Sequence, residues 1–212
     1  MAEKLKLVWK NQELRLALKA LTLALIIYYT RLESGFWMIF LAGALLWFYF
    51  RPPMDLQKFL TSFFVLTISL ILFPKFISGF VSGFIAVFYA AAFSLLVGVK
   101  NLVFLRRDVL YYIVYAAGIG SLSALYFYIR LGSSIFAQIG LFIAVFFLSK
   151  EFFWILGNEK NKILPAATAL ISIELLWVVS ILPIWHFSKV IFGILGIFLF
   201  SDFLLNRLLR MV

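Results

Sequence analysis

The stretch FISGFVSGFIAVFYAAAFSLLVGV, residues 76–99, runs for 24 residues without a charged side chain. A second stretch, VLYYIVYAAGIGSLSALYFYI at residues 109–129, runs for 21. An α-helix needs about 20 apolar residues to cross the hydrocarbon core of a bilayer. Strands of a membrane barrel alternate polar and apolar residues, and these stretches do not. They therefore predict transmembrane helices.

The composition of the whole chain indicates the same class of protein. Of its 212 residues, 65% are hydrophobic and 13% are charged, and the mean hydropathy is +1.09. Soluble domains are about 45–50% apolar and about 25% charged, so a soluble fold could not bury this much apolar surface. An apolar run follows the basic N-terminal segment without a small-residue cleavage site. We interpret that run as a first span rather than a signal peptide.

Charged residues divide the chain into eight candidate helices. Short connections after every odd-numbered helix predict four helical hairpins in an all-α, polytopic integral membrane protein. We treat the chain as a single transmembrane domain, 1–212, for which two halves, 1–100 and 101–212, are an alternative division. The predicted helices cover residues 14–30, 34–50, 56–73, 78–99, 109–129, 133–156, 163–184 and 188–207.

The basic residues predict how these helices are oriented. With eight spans, 15 of the 19 lysines and arginines lie on the side of the two termini. Lysine and arginine near span ends collect on the cytoplasmic side. The pattern therefore predicts a multi-pass protein of the cell (plasma) membrane with cytoplasmic N- and C-termini. Only residues 20–30 of the first helix are free of charge, so an amphipathic helix on the membrane surface is the alternative there.

A short phrase recurs where the even-numbered helices begin. RLESGFW starts at Arg31, KFISGFV at Lys75, and RLGSSIF at Arg130. A serine at the start of a helix can accept a hydrogen bond from an amide that lacks an intrahelical partner. The phrase therefore predicts a tight turn with a helix cap, and either duplication of a hairpin or repeated convergence explains its recurrence. The predicted caps are Ser34, Ser78, Ser133 and Ser188.

Small residues on the fourth and fifth helices predict close contacts between helices in the membrane. Either plain tight packing or a sliding interface between two halves would use such a seam. The residues of the predicted seam are Gly79, Gly83, Ala86, Ala90, Ala116, Gly120 and Ala124.

Three polar residues inside the predicted spans are candidates for a substrate-binding site: Glu174, Asp202 and Gln138. Glu174 lies 12 residues after Lys162 and nine before Pro183, which places it inside the bilayer. An intramembrane acid is costly and usually faces the protein interior or a polar path. A hydrogen-bonded structural acid is the alternative for Glu174, and nearby polar side chains at the end of the eighth helix could satisfy Asp202.

The sequence offers no residues for metal or cofactor chemistry. It has no cysteine and one histidine, His186, and it contains no paired-carboxylate motif or phosphate-binding loop. We predict no catalytic residue, no metal and no cofactor, and an enzymatic function is left open without being favoured. The net charge of +10 lies mainly at span ends, so we expect no nucleic-acid partner.

Two classes of function remain. The first is a carrier, or a membrane subunit of a transport system, with an intramembrane acidic site formed by Glu174, Asp202 and Gln138. This function predicts a polar cavity that contains Glu174. The alternative is a non-catalytic membrane scaffold or assembly subunit of a larger complex, and a lipid-handling membrane enzyme is a third hypothesis. The expected partners are the lipid bilayer and either other membrane proteins or further copies of the chain.

Overall fold

The computed structural model describes residues 16–28, 36–50, 59–72, 81–100, 107–128, 135–155 and 163–209. All regular structure in these ranges is α-helical. The helices are α1 (Leu16–Tyr28), α2 (Phe36–Phe50), α3 (Leu60–Leu72), α4 (Val81–Lys100), α5 (Arg107–Tyr128), α6 (Ile135–Ile155), α7 (Ile163–Ile181) and α8 (His186–Leu209).

Within the described ranges, the eight helices confirm the number and positions of the predicted helices. Every described helix end lies within four residues of the predicted end. Four helices in the described part have the length and hydropathy of membrane spans, with 19 to 21 residues each: Val109–Tyr128, Ile135–Ile155, Ile163–Ile181 and His186–Leu204. At 1.5 Å per residue these segments are about 28–32 Å long, which matches the hydrocarbon thickness of about 30 Å. The chain is a helical membrane protein, and eight complete spans remain a prediction.

The chain forms two compact units, Met1–Val114 and Tyr115–Val212. The boundary between the units lies within α5. The alternative division of the sequence places its boundary earlier, after residue 100. In the first unit, aromatic rings join three helices. Tyr49 of α2 stacks on Phe63 of α3 with ring centroids 4.1 Å apart, and Phe63 meets Phe93 of α4 edge to face at 6.0 Å.

In the second unit, α7 and α8 pack antiparallel. Leu176 lies against Gly193, and Leu175 lies against Gly196. The amine of Lys189 donates a hydrogen bond of 2.7 Å to the carbonyl oxygen of Ser180. As the residue number rises along α7, the number of the facing residue on α8 falls. The lysine also places a cation at the C-terminal end of α7, where the helix dipole favours it.

Helices α6 and α8 both pack against α5. Gly118 faces Leu148 of α6, and Gly120 faces Ile194 of α8, with the nearest side-chain atom 3.0 Å from where a Cβ atom would stand. Gly120 is one of the predicted seam residues, and its close contact is with α8. Close packing of the fourth helix on the fifth stays a prediction. Of the other seam residues, Gly79 lies outside the described residues.

Helix α7 ends just before Pro183, because a proline disfavours helical geometry at the residue before it. Helix α7 ends at Ile181, and the amide of Leu182 donates to the carbonyl oxygen of Val179 at 3.3 Å. Helix α8 begins at His186, and in its first hydrogen bond the Lys189 amide donates to the carbonyl oxygen of Trp185 at 3.0 Å.

The capping prediction for Ser188 is wrong, because this serine is the third residue of α8 and Trp185 occupies the position before the helix. The helix begins earlier because the connection that contains Pro183 takes only four residues, 182–185, so that residue 186 is already in helical geometry. The other three predicted caps, Ser34, Ser78 and Ser133, lie outside the described residues.

Candidate functional site

Glu174 lies on an exposed face of α7. Residues three, four, seven and eleven positions away from it on an α-helix share its side of the helix. Five apolar residues of α7 at these positions are exposed, with 53–77% of their surface accessible, whereas Ala167 and Ile171 are half-buried and border this side of the helix. We call this surface the α7 face, and it consists of Ile163, Leu170, Glu174, Trp177, Val178 and Ile181.

The depth of Glu174 is that of a residue in the interior of a bilayer. It lies 11 residues after Ile163 and seven before Ile181, which correspond to about 16 Å and about 10 Å along the axis. Its side chain makes no hydrogen bond or ion pair with the residues that the structure describes. The carboxyl group is therefore surrounded on its own helix by the exposed side chains of Leu170, Trp177 and Val178.

The opposite side of α7 explains why Glu174 points outward. That side is buried and contains small or short polar residues, which allow the neighbouring helices to approach. The hydroxyl of Ser172 donates to the carbonyl oxygen of Thr168 at 2.5 Å and so is satisfied within the helix. The buried residues are Leu164, Pro165, Thr168, Ala169, Ser172, Leu176 and Val179.

The structure does not bring the three predicted site residues to one level of the membrane. The α7–α8 contacts place Glu174 at the level of residue 196 of α8, about six residues or roughly 9 Å from Asp202 along the axis. Gln138 is the fourth residue of α6, at the end of the helix where Tyr128 packs against His186. Asp202 and Gln138 are half-buried, and each interacts with another residue of the chain.

A buried hydroxyl cluster in the second unit was not predicted from the sequence. The Tyr115 hydroxyl lies 3.2 Å from the Ser149 oxygen and 3.1 Å from the Ser201 oxygen, so it links α5, α6 and α8. The Ser201 hydroxyl also lies 2.8 Å from the carbonyl oxygen of Ile197, to which it donates. The ring of Tyr115 stacks on Phe152 at 4.1 Å. The cluster can hold the three helices together through polar bonds in an otherwise apolar core.

A buried acid, Glu151, was also missed. Only 6% of its surface is accessible, and it has an interaction partner. In the sequence it follows Lys150 near the end of a predicted span, a position where charged residues are normally solvated. The signal that could have identified it is its location: it lies five residues inside the predicted end of the helix at 156.

A cavity in the first unit offers little room for a ligand. It is lined by α1, α2, α3 and α4, and its polar lining residues are Lys19, Tyr49 and Ser94. Its enclosed space is about the size that one water molecule requires. A substrate much larger than a water molecule would not fit this cavity.

The described residues contain no group of three His, Cys, Asp or Glu side chains that could hold a metal ion. No protein-family model, no curated protein and no solved structure matches the chain.

Proposed function

We propose that this protein is a non-catalytic membrane subunit that assembles with another membrane protein through the α7 face. The occupant of the face is a transmembrane helix of the partner. The single observation that carries this proposal is the exposed position of Glu174, in the middle of an apolar face and inside a span-length helix.

A carboxyl group is costly to place in lipid. A charged side chain at the centre of a transmembrane helix costs about 2.5–3.5 kcal/mol on insertion scales, and such residues almost always face protein or water. Glu174 makes no hydrogen bond or ion pair with the described residues of its own chain. A second protein that covers the α7 face would supply the missing polar group and would also bury the large side chain of Trp177.

A carrier, or a membrane subunit of a transport system, remains the second candidate. The observation that favours it is the buried hydroxyl cluster of Tyr115, Ser149 and Ser201, which adjoins Asp202 in the sequence. A transport path through Glu174 would require this residue to face the protein interior, and its exposed position weakens support for such a path. A carrier would therefore use Asp202 and the hydroxyl cluster rather than Glu174.

The assembly proposal predicts that Trp177→Ala weakens the complex at least about ten-fold. Buried tryptophans are the residues that most often dominate binding at protein interfaces. The matched control is Phe192→Ala on α8, because Trp177 is 56% exposed and Phe192 is 55% exposed. The measurement is the amount of tagged chain that migrates in a larger complex on a native gel, after mild extraction from its own membrane.

Two results would count against assembly through the α7 face. One is an equal loss of the complex in the Trp177 and Phe192 variants, which would indicate a general effect of exposed aromatic residues. The other is migration of the wild-type chain at the size of a single protein with lipid and detergent, in which case there is no complex to lose.

The orientation in the membrane belongs to the same proposal. We propose that the chain lies in the plasma membrane with all eight helices spanning it and both termini in the cytoplasm. The chain has no cysteine, so single cysteines can report the orientation directly. An impermeant thiol reagent added outside the cell is expected to label Ser133→Cys and to leave Asn161→Cys unlabelled. Labelling of Asn161→Cys alone would reverse the proposed topology.

A further inference from the structure

We infer that the partner helix presents an arginine or a lysine to Glu174 within the membrane. This inference rests on the proposed function and specifies the chemistry of the partner. It is argued from the charge of Glu174, from its depth in α7, and from the positions of the basic residues in the chain itself.

The chemistry of the α7 face requires a hydrogen-bond donor at one position. Four of the other five residues of the face are apolar, and the fifth, Trp177, has a mostly apolar side chain. Any apolar helix could cover these five residues. An apolar helix would leave the carboxyl group of Glu174 unsatisfied in a medium without water, which is costly. A basic side chain donates hydrogen bonds and carries the opposite charge, so it stabilises an ionised carboxylate better than a neutral donor does.

A second copy of this chain fits the α7 face poorly. A two-fold symmetric contact places the same surface of both copies together, so two Glu174 carboxyl groups would approach each other. Like charges at a shared site disfavour ionisation of both groups. The symmetric dimer therefore adds a repulsion where the site needs an opposite charge.

Other contacts between copies do not supply a basic residue at the required depth. Every lysine and arginine in the described helices lies within five residues of a helix end. In a copy with the same orientation, Lys189 would be roughly 9 Å nearer the α7–α8 turn than Glu174, because it lies at the level of Ser180, to whose carbonyl oxygen it already donates. Lys150 would lie roughly 9 Å from Glu174 in the opposite direction.

The surroundings of Glu174 suit a basic side chain. Leu170 and Trp177 lie about one turn before and after it on the same face. A partner helix that packs along this face would place its basic residue between these two side chains. The indole ring of Trp177 then offers an aromatic surface to the cation, and tryptophan is the aromatic residue that binds cations best.

The test uses the full chain and a transmembrane peptide as the probe. The chain carries a donor fluorophore at Phe187→Cys, an exposed position near the α7–α8 turn, and is reconstituted in phosphatidylcholine vesicles. The acceptor-labelled peptides are leucine-rich helices of 21 residues, about the length of a span, with either arginine or leucine at the centre. Energy transfer is measured against the mole fraction of peptide in the bilayer.

We expect the arginine peptide to bind at a mole fraction at least about ten-fold lower than the leucine peptide. Glu174→Gln should remove this difference, whereas Asp202→Asn, the matched loss of an acid on α8, should keep it. Equal binding of both peptides, or an arginine preference that persists in Glu174→Gln, overturns the inference. Energy transfer between two labelled copies without peptide, lost in Glu174→Gln, would instead identify a second copy as the occupant.

The results separate this inference from the proposed function. If Trp177→Ala breaks the native complex but the peptides bind equally, the α7 face is an interface without a basic partner residue. If Trp177→Ala leaves the native complex intact and the arginine preference is absent, both proposals fail.

Discussion

Replacing Tyr115 by alanine is expected to lower the free energy of unfolding by about 3–5 kcal/mol, the range for truncating a large buried aromatic side chain. Tyr115 is completely buried and its ring stacks on Phe152. The alanine variant loses this packing and leaves a cavity where α5, α6 and α8 meet. It also removes the hydroxyl that Ser149 and Ser201 share.

Tyr115→Phe separates the two contributions. It keeps the ring and removes only the hydroxyl, and the expected loss is about 1 kcal/mol, as for a typical hydrogen bond in proteins. The control is Phe136→Ala, because Phe136 is 86% exposed and its truncation opens no cavity in the core. Unfolding in mixed detergent, followed by circular dichroism, measures the differences. A Tyr115→Ala variant as stable as Phe136→Ala would show that the cluster does not hold the helices together.

Replacing Gly193 by leucine is expected to separate α8 from its two neighbours. A Cβ atom at residue 193 would stand 2.9 Å from a methyl carbon of Leu176 and 3.3 Å from the Ser123 oxygen. Gly193→Ala should therefore cost about 1–3 kcal/mol of unfolding free energy, the usual range for overpacking, and Gly193→Leu should cost more. The larger residue has nowhere to move, because α7 and α5 restrict it on two sides.

The matched control for this experiment is Gly140→Leu on α6. No atom lies within 4 Å of the position that a Cβ atom at residue 140 would occupy, and the residue is exposed. Gly140→Leu should fold and purify like the wild type, whereas Gly193→Leu should give a lower midpoint of unfolding or aggregated protein. Equal stability of the two leucine variants would argue against a close approach of α8 at Gly193.

The helices were predictable because their formation depends on local requirements. A chain in a bilayer must satisfy every backbone amide within its own helix, and it must remain nearly free of charged residues over about 20 residues. Both requirements can be read from the positions of charged residues, and the eight predicted helices agree with the structure on this account. The cap at Ser188 failed because a turn can begin a helix two residues earlier without any change in the sequence pattern.

The faces of the helices were not predictable in the same way. In a soluble protein the buried side of a helix is apolar and the exposed side is polar, which the sequence shows as a period of 3.6 residues. In a membrane the exposed side is apolar as well, so Leu170 and Leu176 look alike in the sequence although one is exposed and the other buried. The outward position of Glu174 depends on this choice, and the sequence does not contain it.

The buried polar groups illustrate the same limit. Ser149 and Glu151 flank Lys150, which suggested a solvated helix end, yet both are buried. The cluster consists of Tyr115, Ser149 and Ser201, which lie on three different helices. Tyr115 is 34 residues from Ser149 and 86 residues from Ser201 in the chain. Their meeting depends on the register between helices, which close contacts at Gly118 and Gly193 set in three dimensions.

By itself, the sequence determined the membrane class and, within about four residues, the bounds of the helices that the structure describes, because charge, hydropathy and helix length act along the chain. It also identified Glu174 as a costly residue inside a span. The tertiary structure alone decided that Glu174 lies on an exposed face, apart in depth from Asp202 and Gln138, because side-chain packing between antiparallel helices selects which side of each helix faces the protein. Which side of a helix is buried depends on small residues of one helix contacting large residues of the next, such as Gly193 of α8 and Leu176 of α7. The sequence of one helix alone does not specify these contacts.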